Sequence, residues 1–141
     1  MFAQPVTKMR SFIDFLNEKS VSSKITNEEG TVLAVPLNFE SAPNSELFLF
    51  FGEYDVQMVI PDIISNVPVI KETSFYELIN RFNIERKYVK FCYTESRGIN
   101  IGVDYVLSNT EIDNETLFSL IIMMMNTVDD YYPMLMKLMW S

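Results

Sequence analysis

Histidine is absent from this 141-residue chain, cysteine occurs once and glycine four times. The first absence excludes a Ser-His-Asp triad, a Cys-His dyad and an ordinary zinc site. A single cysteine allows no disulfide within the chain, which suits a reducing compartment. Four glycines leave no room for a Walker loop or a dinucleotide fingerprint, so no cofactor is expected. Long hydrophobic runs are missing too. The longest, Leu117 to Met125, is interrupted by Ser119, and a membrane-spanning helix needs about 20 apolar residues. Met1 to Val6 has neither the basic start nor the apolar run of a secretory signal, and neither end carries a lipidation motif. The chain therefore reads as cytoplasmic, with no membrane partner.

What is present is a globular composition, 48% hydrophobic and 21% charged, far from the profile of a disordered chain. Its length suits one domain over residues 1–141 with a real core. Nineteen Asp and Glu oppose eleven Lys and Arg, for a net charge of -8. No basic residue falls between Lys24 and Lys71 or between Arg97 and Lys137, while both stretches are rich in carboxylates. One basic island, Arg81, Arg86, Lys87, Lys90 and Arg97, separates them. An acidic field repels phosphates and favours basic partners, so nucleic acid is not expected. Solubility alone is the simplest account of the charge.

Periodicity orders the elements. Met9, Phe12, Ile13 and Leu16 repeat at helical spacing behind Thr7, a plausible N-cap. Lys24 to Thr26 reads as a short strand, and Asn27 to Gly30 as a turn. Leu33, Val35, Leu37 and Phe39 then alternate as a strand does. The continuously apolar Leu47 to Phe51 predicts a strand covered on both faces. Val56, Met58 and Ile60 resume alternation until Pro61, and Asp62 to Thr73 reads as a connector. Ser74 and Glu77 have capping-box spacing before the helical stripe Phe75, Leu78, Ile79 and Phe82, which predicts an end near Asn83. Val89 to Thr94, with Phe91 and Tyr93 on one face, and Ile99 to Leu107 predict two further strands. A last helix starts after Asp113 or Asn114, and Pro133 predicts a kink or split with Met134 to Trp140 as a separate short helix. Helix, three strands, helix, two strands, helix is an α+β arrangement.

That order and several segments resemble the YbjN-domain family, described as bacterial sensory-transduction regulators. The resembling stretch runs from about Met9 to the end. It is carried mainly by the apolar helix from Thr116, the Val-Asp-Asp-Tyr-Tyr-Pro run at Val128 to Pro133, and the Met-Leu-Met and Trp140 that follow. Phe75 to Phe82, Asn83 and the Lys90-Phe91 strand add to it. The resemblance implies a fold similar to type III secretion chaperones: helices packed on a twisted antiparallel sheet, often dimeric. Such chaperones bind unfolded segments of effector proteins without ATP. The family supplies no catalytic or binding residues to carry over, and the tail is richer in methionine than its pattern requires.

Six of the nine methionines lie between Met123 and Met139. Met123, Met124 and Met125 read as core filling, whereas Met134, Met136 and Trp140 are the candidate partner-binding residues, since apolar residues continue around the helix there and something must cover them. Asp129 and Asp130 point about 100° apart on a helix, so they do not converge on a metal or an acid-base pair. Cys92, two residues from Lys90, reads as a small buried hydrophobe rather than a redox thiol. With no catalytic constellation, the expectation is a non-enzymatic protein-binding domain, chaperone-like or regulatory, acting through apolar and edge-strand contacts. A homodimer is expected. The alternative is an immunity protein that neutralises a basic toxin through acidic-surface complementarity.

Overall fold

The first helix, α1 (Pro5–Glu18), starts earlier than Thr7, with Gln4 as its cap and Pro5 in its first turn. Proline suits that position because its missing N–H has no helical acceptor there and its φ is already helical. This is a computed structural model that describes residues 4–107 and 113–141. Four strands follow α1: β1 (Lys24–Ile25), β2 (Val32–Leu37), β3 (Ser45–Phe51) and β4 (Asp55–Ile64). A short 3-10 turn, Val69–Lys71, leads into α2 (Glu72–Glu85), and β5 (Lys90–Tyr93), β6 (Ile99–Val106) and α3 (Asn114–Met139) complete the chain. The six strands form one antiparallel sheet in the order β1-β2-β3-β4-β6-β5. The protein is α+β, as its periodicity predicts.

Side-chain alternation divides the sheet into two unlike faces. Leu33, Leu49, Met58 and Val103 stand side by side across β2, β3, β4 and β6, and all are buried. The helices pack on this face, as ring contacts of Phe12 with Phe51 and of Phe82 with Phe91 show. The opposite row is Ala34, Phe48, Val59 and Gly102, with Phe50, Gln57 and Asp104 beside it. Phe50 is 42% exposed. The expectation that β3 is covered on both faces is therefore wrong. Its unbroken apolar run serves a one-sided core and leaves two phenylalanines on an open face.

Three further expectations are corrected. β4 does not stop at Pro61 but runs on to Ile64 through a register shift between Ile60 and Ile64. Proline is tolerated there because a bulge needs no ladder donor, and Asp62, at φ 50°, gives its N–H to Asn100 Oδ1 (2.9 Å). Ser74 does not cap α2, because the 3-10 turn after Pro68 already starts the helix at Glu72 and places Ser74 inside it. The helix also runs past Asn83 to Glu85.

Pro133 does not split α3, which is one helix from Asn114 to Met139, so Met134 to Trp140 is not a separate element. Proline lacks the N–H that would bond the carbonyl four residues back, here that of Asp129. Ser41 Oγ in the β2–β3 loop donates to that carbonyl (2.9 Å), while Asp129 Oδ1 accepts the N–H groups of Glu40 and Ser41 (both 2.9 Å). The break is thus repaired from outside the helix. Ser41→Ala should lower stability by about 1 kcal/mol, the usual worth of such a bond. In a Pro133→Ala background, which restores the helical donor, the same change should cost distinctly less. Equal losses in both backgrounds, read by urea denaturation, would refute the repair.

The start of α3 is capped as expected. Asp113 accepts from the N–H of Glu115 (3.0 Å) and from the Thr116 hydroxyl (2.8 Å). The Thr116 contacts hold its carboxyl below the usual carboxylate range. At the other end Lys71 Nζ donates to the carbonyls of Leu138, Met139 and Ser141, where a cation complements the helix dipole. Among the described residues no helix is long and apolar enough to cross a membrane.

Candidate functional site

The tail residues singled out from the sequence part company. Met136 and Trp140, one helical turn apart, line a cleft of about 330 Å³ between α3, the β2–β3 loop and the end of β4. Trp140 is 78% exposed. Met134 lies elsewhere, 39% exposed beside Leu78 and Arg81 of α2. Of the three central methionines, Met124 is fully buried, whereas Met123 and Met125 are half-buried. A stripe on a continuous helix turns by about 100° per residue, so neighbours in sequence serve different surfaces.

The acidic pair is divided in the same way. Asp129 holds the β2–β3 loop, and Asp130 pairs with Arg86 at 2.8 Å. Arg86 also lies over the Tyr131 ring, 5.0 Å from its centroid. The Tyr131 hydroxyl donates to Glu85 Oε2 (2.8 Å), and burial, reinforced by that bond, raises its phenol above the ordinary value. These contacts lock α2 to α3. Lys8 is similarly structural: buried on α1, it donates to the Gly52 and Glu53 carbonyls of the β3–β4 turn. Burial lowers its pKa, against the pull of Glu53 and Asp55. The helical stripe of α1 gives no sign of this, since an amine is buried only where the carbonyls of a distant turn meet it.

Cys92 is exposed, which corrects its reading as a buried hydrophobe. It stands on the open sheet face with Lys90, but the Lys90 ammonium is drawn to the Asn83 and Arg86 carbonyls at the end of α2.

The main open feature is the outer side of β6. Leu107 N–H donates to Tyr54 O (2.8 Å) in line with the β4–β6 register, and Thr94 N–H donates to Gly98 O (2.9 Å) in line with the β5–β6 register. Residues of an antiparallel strand bond alternately to one neighbour and the other. Odd positions of β6 therefore bond toward β4 and even positions toward β5. β5 begins at Lys90, opposite Gly102. The backbone groups of Asp104 and Val106 thus face outward, with no partner strand among the described residues. Beside them runs a groove of about 940 Å³, whose lining includes Tyr88, Val103, Leu120 and Met123.

The edge of β5 is closed by contrast. Phe91 gives its N–H to Asn83 Oδ1 (2.7 Å) and receives Asn83 Nδ2 on its carbonyl (2.9 Å), so a side chain of α2 occupies the place of a seventh strand. Free strand edges are commonly blocked in such ways. Among the described residues nothing blocks the exposed stretch of β6 in this way. Asp104, Val106 and Asn83 were not singled out from the sequence, although the unequal lengths of the last two predicted strands already implied an unpaired end. The chain matches no protein-family model, no curated protein and no solved structure.

Proposed function

We propose that the protein is a non-enzymatic, cytoplasmic protein-binding domain, chaperone-like or regulatory, which takes an extended segment of its partner along Asp104 to Val106 of β6. The observation that carries this reading is the asymmetry of the two edges: Asn83 closes β5, whereas among the described residues β6 stays open beside an apolar groove. An added strand would gain main-chain hydrogen bonds from Asp104 and Val106, and the groove would receive its alternate side chains. The resemblance to the YbjN-domain family, and through it to secretion chaperones, favours the same reading. A second copy pairing through the open sheet face around Phe48 and Phe50 belongs to this proposal as well.

Asp104→Pro tests it. Proline at 104 removes an N–H that faces the groove and leaves intact the bonds from Val103 and Tyr105 toward β4. Peptides selected from a random display library against the unmodified protein should share an alternating apolar pattern. They should bind the variant at least about tenfold more weakly, the effect of losing a main-chain bond from a desolvated interface. Failure to enrich any peptide, or equal affinity for a variant with unchanged circular dichroism, would count decisively against strand addition. An immunity protein that neutralises a basic toxin would show a different signature, with association slowing steeply as salt rises.

A further inference from the structure

The register of the sheet says what each side chain of a strand added to β6 would meet. Gly102, Asp104 and Val106 pair with Val59, Gln57 and Asp55 of β4 and stand with them on the open face. Asp104 is exposed there, and so is Val106. Val103 and Tyr105 point the other way, toward the helices, where Leu120 and Met123 of α3 line the groove. Residues directly opposite on neighbouring strands share a face, with Cβ atoms about 4.5–5.5 Å apart. A segment bonded to the main chain of Asp104 and Val106 therefore sets one side chain against the Asp104 carboxylate. The side chain two positions away meets Val106, and the one between them enters the groove.

The charge around Asp104 selects what faces it. Among the described residues its carboxylate has neither an ion-pair nor a hydrogen-bond partner. Asp55, opposite Val106, is a second carboxylate on the same face, and β2, β3 and β4 carry no base. Lys8, which Asp55 attracts, is bound to the carbonyls of the β3–β4 turn. Lys87 and Lys90 also line the groove. Lys90, however, is drawn to the carbonyls at the end of α2, and Lys87 makes no ion pair with Asp104. Opposite charges directly across a ladder stabilise it, and like charges weaken it. We propose, resting on strand addition at β6, that the bound segment sets a lysine or arginine opposite Asp104. Two positions away it sets a β-branched or aromatic residue opposite Val106, with an apolar residue between them for the groove. An acidic residue opposite Asp104 is disfavoured.

Peptide display on the unmodified protein and on Asp104→Lys tests this. Lysine at 104 keeps the main-chain N–H, so strand addition survives while the charge is reversed. Peptides selected by the unmodified protein should share a basic residue two positions from a β-branched or aromatic one. Those selected by Asp104→Lys should carry an acidic residue at the same place. In one selected peptide, replacing the basic residue by glutamate should weaken binding to the unmodified protein about fivefold and strengthen binding to Asp104→Lys by a similar factor. Raising the salt concentration should shrink both effects. Peptides that lose affinity for Asp104→Pro but show no basic preference, or the same preference in both selections, would overturn the proposal and leave strand addition standing. No enriched peptide, or peptides indifferent to Asp104→Pro, would remove strand addition and this proposal with it. Should Asp104→Lys not fold, Asp104→Asn keeps the size and removes the charge. It should abolish the preference for lysine over glutamine at that place, and a preference kept in full would overturn the proposal.

Discussion

Phe82→Ala is expected to destabilise the protein by about 3–5 kcal/mol, the cost of removing a fully buried phenyl group and leaving a cavity. Phe82 projects from α2 to the place where all three layers of contact meet. Its ring lies 4.2 Å from that of Tyr131 on α3 and 5.2 Å from that of Phe91 on β5, centroid to centroid. Phe91 and Tyr131 are themselves in edge contact at 5.6 Å. Neither can move into the vacated space freely. Tyr131 is held by Glu85 and Arg86, and the Phe91 backbone is held by Asn83. A site whose neighbours are pinned by hydrogen bonds collapses poorly, which places the loss toward the upper end of the range. Urea denaturation with an unchanged slope measures it. A loss below about 1 kcal/mol would mean that this cluster does not join α2 to α3.

Leu135→Ala should cost about 2–5 kcal/mol. The residue lies two positions beyond Pro133 and is fully buried within the common core. A helix that broke at the proline and left a peripheral tail would make this substitution nearly neutral, within about 0.5 kcal/mol. The comparison is sharpened by Met134→Ala. Met134 is its exposed neighbour and should change stability little, although it has a similar volume. Near-equal effects of the two substitutions would remove the distinction between the buried and open sides of the tail.

Strand and helix periodicity were legible because they depend only on which residues must leave water. Phe91 and Tyr93 share one face of β5, and Ile99, Ile101 and Val103 face the core, as alternation predicts. Element ends were less legible. Pro61 and Pro133 look like stops, and each would be one in isolation. Each is accommodated by a partner distant in sequence: Asn100 bonds beside the bulge after Pro61, and Ser41 takes the carbonyl that Pro133 leaves bare. Ser74 and Glu77 have the spacing of a cap without its position, because spacing does not say where the preceding chain begins to coil.

By themselves, the residues determined the class of fold and excluded particular catalytic constellations. No histidine and one cysteine exclude a Ser-His-Asp triad, a Cys-His dyad and an intrachain disulfide, and hydrophobic period alone orders helices and strands into an α+β chain. Only the tertiary structure decided which apolar residues are core and which are surface. Phe48 and Phe50 are as hydrophobic as Phe51, and Met134 as Met124, so transfer from water cannot rank them. Their fate depends on which face three helices cover and how far β5 extends along β6. The closed edge at Asn83 and, among the described residues, the open one at Asp104 arise only when segments far apart in sequence meet.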